Sequence, residues 1–163
     1  MKTISLLSDT HGVLDERFIP HLKNSDEVWH AGDIGSLDIY DKLTKLKNVK
    51  AVYGNIDNHE IRISLKSELF FRCEAVNIFM THIGGFPGKY SKGIKEKIEK
   101  TNPDIFICGH SHILKIMNDK KNNLLFINPG AAGNYGIHKV KTIVKFKIDD
   151  KKISDLKIVE LKR

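Results

Sequence analysis

Cysteine, proline and tryptophan are scarce. Among 163 residues there are two cysteines, four prolines and one tryptophan. Cys73 and Cys108 both lie inside apolar runs. That pattern predicts buried free thiols in a reducing compartment rather than a disulfide. No apolar stretch approaches the roughly 18 residues needed to span a bilayer, so no membrane partner is expected. Met1-Lys2-Thr3 runs straight into a strand-like segment, without a charged n-region, an h-region or a cleavage site. A secretory signal is therefore not expected, and the expected compartment is the cytoplasm. Internal repeats and low-complexity segments are also lacking. With 40% hydrophobic and 29% charged residues the composition is that of an ordinary globular chain. Its length suits one domain, residues 1–163, able to bury its own core.

The formal net charge of +7 invites a nucleic-acid reading, but its distribution argues against one. Most of the excess lies in residues 139–163, where nine Lys/Arg face four Asp/Glu. There lysines alternate with apolar residues, as in Val144-Lys145-Phe146-Lys147-Ile148. This alternation predicts a strand with one solvated face. Lysine on an exposed strand also discourages edge-to-edge pairing.

The stretch to which the rest relates is Ser8-Asp9-Thr10-His11-Gly12, directly after the apolar run Ile4 to Leu7. Asp9 and His11 stand two residues apart, and on an extended segment such residues point to one side. The apolar spacing of Leu14, Phe18, Ile19 and Leu22 then predicts a helix, with Asp15 and Glu16 in its first turn. A second strand, Glu27 to Ala31, ends in Gly32-Asp33. Ser36 can cap a second helix carrying Leu37, Tyr40, Leu43 and Leu46. A third strand, Val49 to Tyr53, ends in Gly54-Asn55. This β-α-β-α-β start places polar residues just after each strand, where ligands bind in open α/β sheets.

Leu69 to Cys73 and Val76 to Thr81 read as two strands, the second ending at His82. A flexible segment from Gly84 to Gly93 could form a rim loop over a site. A helix over Ser91 to Lys100 precedes a buried strand, Asp104 to Cys108, which ends in Gly109-His110-Ser111-His112. From Ile113 onward the pattern is all β, with hairpins around residues 118–123 and 149–152.

Collected from the five strand ends, the polar groups are Asp9, His11, Asp33, Asn55, His82, His110 and His112. They offer carboxylate, amide and imidazole donors and no thiolate. That is a ligand list for a hard or borderline divalent metal, not for a Cys-rich structural zinc site. Seven donors are too many for one tetrahedral ion; they suit two metals roughly 3.5–4 Å apart that share a carboxylate.

Asp9-x-His11, Gly32-Asp33, Gly54-Asn55, His82 and Gly109-His110-Ser111-His112 resemble, in order and spacing, the motifs of the calcineurin-like metallophosphoesterases. The short length and the Asn-x-Asp at Asn55 are similar to the small YfcE-type phosphodiesterases. The match runs from the first strand to Gly133. The resemblance implies an α/β fold, a four-layer α/β/β/α sandwich of two mixed β-sheets. It implies that Asp9, His11 and His112 bind one metal, that Asn55, His82 and His110 bind a second, and that Asp33 bridges both. A metal-bridging water would then become hydroxide and attack phosphorus in line. Mn²⁺ is the expected ion, with Ni²⁺, Co²⁺, Fe²⁺ and Zn²⁺ as alternatives. The expected substrate is a small phosphodiester, and a homodimer or homotetramer would fit the family's habits.

One position departs from the wider family. Many relatives carry a histidine after the Asn that is thought to protonate the leaving group; here it is Ile56. Good leaving groups should then be favoured, since acid assistance is worth roughly 10²–10⁴-fold. Asp57 and His59 lie close enough in sequence to substitute, and His59 is the candidate catalytic residue, against the commoner case of a surface histidine. His30 reads as a neighbour that orients a ligand, and His21 and His138 as surface residues. Two other function classes compete. One is a non-catalytic protein-binding scaffold of the same fold, like a eukaryotic retromer subunit that has lost ligand histidines. The other is a nuclease, for which no basic strip with interleaved aromatics is evident.

Overall fold

The computed structural model describes residues 1–163. Strand β1 (Lys2–Leu7) leads through a 3-10 turn (Glu16–Phe18) into helix α1 (Ile19–Lys23). Then come β2 (Glu27–His30), α2 (Leu37–Leu46), β3 (Asn48–Ala51) and α3 (His59–Ser64). The middle holds β4 (Glu68–Cys73), β5 (Val76–Thr81), the short pair β6 (Gly85–Phe86) and β7 (Lys89–Tyr90), and α4 (Ile94–Thr101). The chain closes with β8 (Ile105–Ile107), β9 (Leu114–Asp119), β10 (Leu124–Pro129), β11 (Val140–Asp149) and β12 (Lys152–Lys162).

Two five-stranded sheets result, in the orders β12-β11-β1-β2-β3 and β4-β5-β8-β10-β9. Each is mixed: β1, β2 and β3 are parallel while β11 is antiparallel to β1, and β5, β8 and β10 are parallel between antiparallel β4 and β9. The strands read as unbroken apolar runs because both faces are covered. Ile4, Leu6, Trp29, Ile78, Met80, Ile105, Ile107 and Phe146 meet between the sheets. The alternate residues Leu7, Val28 and Ile143 face outward against Leu22, Leu43 and Ile61 of α1, α2 and α3. On the far side Phe79, Phe106 and Phe126 pack beneath Ile94 and Ile98 of α4. The four-layer α/β/β/α order implied by the resemblance is thus the one observed, and both cysteines are free and buried as expected.

Trp29 anchors the middle layer. Its ring is fully buried and meets Phe71 and Phe146 edge-on at centroid distances of 5.0 and 5.7 Å. Its Nε1–H donates to Glu27 Oε2 at 2.9 Å, and Lys2 holds the other Glu27 oxygen at 2.6 Å.

Four expectations need correction. The helix after Gly12 is split into a 3-10 turn and a five-residue helix. Pro20 explains this: it has no N–H to donate and is tolerated only in a first turn. Helix α3 lies where no element was expected between Asn55 and the strand at Leu69. Asn58 caps it, its Oδ1 accepting from Ile61 N–H at 3.1 Å. The segment from Gly84 to Gly93, expected to be flexible, is tied by the β6–β7 hairpin. Finally, the lysine face of β11 is covered more than expected: Lys141 is buried, and Lys145 and Lys147 are half-buried. Lys141 pairs with Asp15, and Lys145 Nζ donates to the carbonyls of His21 and Asn24 at 2.9 and 3.2 Å. The solvated strand is β12, at the sheet edge.

Truncating Phe146 to alanine should cost about 3–5 kcal/mol, the range for large aromatic deletions in a packed core. Urea unfolding followed by the fluorescence of Trp29, the single tryptophan, measures it.

Candidate metal centre

The polar residues after the strands gather at one end of the two sheets, but not by the extended geometry expected. Asp9, His11, Asp33, His110 and His112 have φ of 55°, 47°, 54°, 70° and 58°. Non-glycine residues avoid this left-handed region, at a cost of about 1–2 kcal/mol each. Asp9 and His11 converge because the chain curls there, not because they alternate on a strand.

The curl is fixed by backbone hydrogen bonds that continue past the sheets. Asp9 N–H donates to Gly32 O, and His11 N–H to Asp33 O, both at 3.0 Å. Gly109 N–H donates to His82 O at 3.0 Å and Ala132 N–H to Ser8 O at 2.9 Å.

Two sets of donor atoms converge. Asp9, His11 and His112 form one, and Asp33, His82 and His110 the other, the atoms of each set lying within 4.8 Å of one another. In the first set His112 Nε2 is 3.2 Å from Asp9 Oδ1 and 3.2 Å from His11 Nε2. In the second His82 Nε2 is 3.2 Å from Asp33 Oδ2. Asp33 Oδ2 also lies 3.7 Å from His11 Nε2, so it faces both sets.

Each carboxylate is held by a backbone N–H at one oxygen and turns the other toward the imidazoles. Asp9 Oδ2 accepts from His110 N–H at 3.1 Å, and Asp33 Oδ1 from Ile56 N–H at 3.0 Å. Asp9 Oδ1 and His82 Nε2 are buried without any hydrogen-bond partner. Burying such groups unpaired costs about 1–3 kcal/mol each. The opposite edge of the His82 ring, Nδ1, is 2.7 Å from the carbonyl of Ala31. A carbonyl only accepts, so Nδ1 carries the proton and Nε2 presents a lone pair. Oxygen and imidazole lone pairs held ready in this way fit a divalent cation.

Charge sharpens this picture. Burial pushes the Asp33 carboxyl upward, but the facing His82 imidazole, the Ile56 N–H and His11 outweigh it and hold Asp33 below the usual carboxylate range. Burial lowers His11, offset only in part by Asp33 and Asp9, which favours its neutral, ligating form. Burial also works to lower His82, but the Asp33 and Asp9 carboxylates and the Ala31 carbonyl win and raise it. A cation would therefore displace a proton there.

The surroundings leave little room. A Cβ on Gly54 would lie 2.0 Å from Asp33 Oδ1, and one on Gly109 2.0 Å from Ser8 Oγ and 2.8 Å from Asp9 Oδ2. These glycines let backbone press against the carboxylates.

His30 does orient its neighbours, as the sequence suggested. Thr10 O–H donates to Ile34 O at 2.9 Å, so its oxygen accepts from His30 Nε2–H at 3.0 Å. His30 Nδ1 then accepts from Gly32 N–H at 3.2 Å. One neutral tautomer satisfies the whole chain of bonds. Full burial, against the pull of Asp57 and Asp9, lowers the His30 pKa to about 4.

Asn55 is exposed and lines a cavity of about 240 Å³ together with His82, Thr81, Ser67 and Arg62. Arg62 braces that loop by donating to the carbonyls of Asn55 and Asp57 at 2.9 and 2.7 Å. Asp57 is committed elsewhere: its two oxygens accept from Gly35 N–H and Gly54 N–H, each at 2.7 Å. It clamps the two glycine loops together. His59 is exposed at the first residue of α3.

Two neighbours escaped the sequence reading. Tyr135 lies over His11 at 4.8 Å between ring centroids. His138, taken for a surface residue, is half-buried and meets His112 edge-on at 5.5 Å. Its Nε2–H donates to Gly133 O at 3.0 Å, and its Nδ1 is buried without a partner. Gly133 and Gly136, which hug Thr10 and His112, were the available signal for this loop.

Two mixed sheets with carboxylates and imidazoles at their shared end define a phosphoesterase architecture. The chain belongs to the calcineurin-like phosphoesterase superfamily, whose domain model matches residues 1–151. It is similar to two archaeal proteins named as probable metallophosphoesterases. One, from Methanothermobacter thermautotrophicus, is 27% identical over 135 residues, covering 78% of this chain and 76% of that one. The other, from Methanocaldococcus jannaschii, is 29% identical over 160 residues, covering 91% and 77%. Among solved structures, wild-type Vps29 from Entamoeba histolytica complexed with Zn²⁺ superposes with a TM-score of 0.76. That match has 18% identity and covers 98% of each chain, a likeness of fold.

Gly54→Ala should reduce metal affinity about 10–100-fold, the range for disturbing a ligand's support, while the far-UV circular dichroism stays native. Equilibrium dialysis with Mn²⁺ measures the loss. For His30, the unfolded chain binds a proton below about pH 6.5 that the folded chain refuses until about pH 4. Metal-free protein should therefore lose about 3 kcal/mol of stability as pH falls through that window, and level off below it. Urea unfolding of wild type and His30→Asn across pH 4–7 isolates the contribution, which the variant should lack.

Proposed function

We propose that this chain is a phosphodiesterase that works with two divalent cations. The observation that supports this most directly is the pair of donor sets, with Asp9 Oδ1 and His82 Nε2 buried and unpartnered. Asp9, His11 and His112 would hold one cation, and His82, His110 and Asn55 the other. Asp33 Oδ2, which faces both sets, would be the shared ligand. Bound there, the cations would acidify a water as nucleophile and neutralise phosphate charge. Mn²⁺ suits the nitrogen and oxygen donors, and the reducing cytoplasm suits two free thiols.

The chain's own groups supply the rest. His82 is fixed in its ligating tautomer by the Ala31 carbonyl. Asn55 borders the polar cavity and would orient phosphate oxygens. Ile56 offers no proton, and both oxygens of Asp57 are occupied as acceptors. Esters whose leaving alcohol is already acidic are the expected substrates, because acid assistance worth roughly 10²–10⁴-fold is missing. His59 is the remaining titratable side chain of that loop and stands exposed.

A protein-binding scaffold is the second reading, since the Vps29 likeness shows that this fold is shared with a protein named for vacuolar sorting. The complete donor set argues for the enzyme, because function follows the site rather than the fold.

Metal-stripped protein should hydrolyse bis-p-nitrophenyl phosphate only after Mn²⁺ is restored. Asp33→Asn should lower the rate by at least about 100-fold, consistent with loss of a carboxylate that organises the centre. p-Nitrophenyl phosphate should be the poorer substrate. Two bound ions per chain without any hydrolysis would favour the scaffold, and failure to bind metal would remove both donor-set assignments.

A further inference from the structure

A larger cavity adjoins the donor cluster on its other side. It holds about 380 Å³ and lies between the β6–β7 hairpin and the segment from Gly109 to Lys115. His110 forms part of its wall, so it opens directly onto the second donor set. Ile83 lines this cavity and the polar one beside Asn55, and stands at the border between them.

Most of the surface its wall exposes is apolar, contributed by Ile83, Phe86, Ile113 and Phe126 among polar neighbours. Ile83, Phe86 and Ile113 are 44%, 40% and 65% exposed, unusually open for large apolar side chains clustered at one site. Two of the polar side chains on the wall, Asn128 and Ser111, are already bonded within it. Asn128 Nδ2 donates to Gly109 O at 2.8 Å and to Ser111 Oγ at 3.1 Å. Ser111 Oγ also accepts from Ile113 N–H at 3.2 Å. Lys115 Nζ stands 4.0 Å from the centroid of the Phe86 ring, a cation over an aromatic face.

We propose that this cavity seats an aromatic ester arm of the phosphodiester substrate while the phosphate sits at the donor cluster. The proposal rests on the phosphodiesterase reading and deepens it. A volume of this size lies within the range of small-molecule sites, which are mostly apolar with few polar groups. A flat ring would cover Ile83, Phe86 and Ile113, and the Lys115 ammonium adds attraction for a π face. A small aliphatic arm would leave most of that surface wet. The second ester arm, or solvent, takes the polar cavity beside Asn55 and Arg62.

Calorimetric titration of the Mn²⁺-loaded protein tests this with methylphosphonate, cyclohexylphosphonate, phenylphosphonate and 1-naphthylphosphonate. Each presents the same phosphate-like head and a single arm. Kd should fall by at least about tenfold from the methyl to the naphthyl compound, as burial of an aromatic ring predicts. The exposed-residue double variant Phe86→Ala/Ile113→Ala should erase that gain and leave the Kd of methylphosphonate unchanged. Equal affinity for all arms, or a gain that survives in the variant, would overturn the proposal while the metal reading stands. Cyclohexylphosphonate binding as tightly as phenylphosphonate would overturn the aromatic assignment. If no Mn²⁺ binds, or no phosphonate binds in its presence, the phosphodiesterase reading fails and this proposal with it.

Discussion

The left-handed backbone at Asp9, His11, Asp33, His110 and His112 is the constraint to which the rest of the molecule answers. Side chains that must meet at one point cannot be delivered by straight strands alone, so the chain bends where L-residues resist bending. The opposing forces are visible: parallel strands packed on both faces, hydrogen bonds that run on past the strand ends, and the Asp57 carboxylate gripping two glycine loops. Each supports geometry that local preference would undo. Strain held in place by surrounding structure is typical of functional sites.

That constraint also explains what could and could not be read from the sequence. The donors were legible because each follows directly on an apolar run. The apolar runs made the individual strands legible, because doubly covered strands read as continuous apolar stretches, whereas the layer order came from the resemblance of the strand-end motifs. The way Asp9 and His11 converge was not, since strand alternation and a left-handed curl bring the same two side chains together. Helix α3 was hidden because its six residues carry a single buried side chain, Ile61, too few for a periodic signal. The lysines of β11 misled for a different reason: Lys141 and Lys145 look solvated in sequence but are tied down by Asp15 and by carbonyl groups distant along the chain. His138 was likewise misplaced, because its partners His112 and Gly133 are brought to it only by the loop from Gly130 to Lys139.

The fold by itself does not choose between catalysis and protein binding, for it is shared at 18% identity with Vps29. What the atoms favour is a bound cation: Asp9 Oδ1 and His82 Nε2 are buried without partners, and the His82 tautomer is fixed through Ala31. Those arrangements carry a cost that a ligand would relieve.

The donors also come from different halves of the molecule. Asp9, His11 and Asp33 follow strands of one sheet, whereas His82, His110 and His112 follow strands of the other. An ion held between Asp9 and His112 would therefore tether the two sheets across most of the chain. In chain-entropy terms, a covalent cross-link closing a loop of about 100 residues is worth about 4–5 kcal/mol. With its two thiols apart and unoxidised, the protein has no such link of its own. An ion that binds only the folded chain would stabilise it by mass action and, placed here, would fasten the two sheets to each other over a long stretch of sequence.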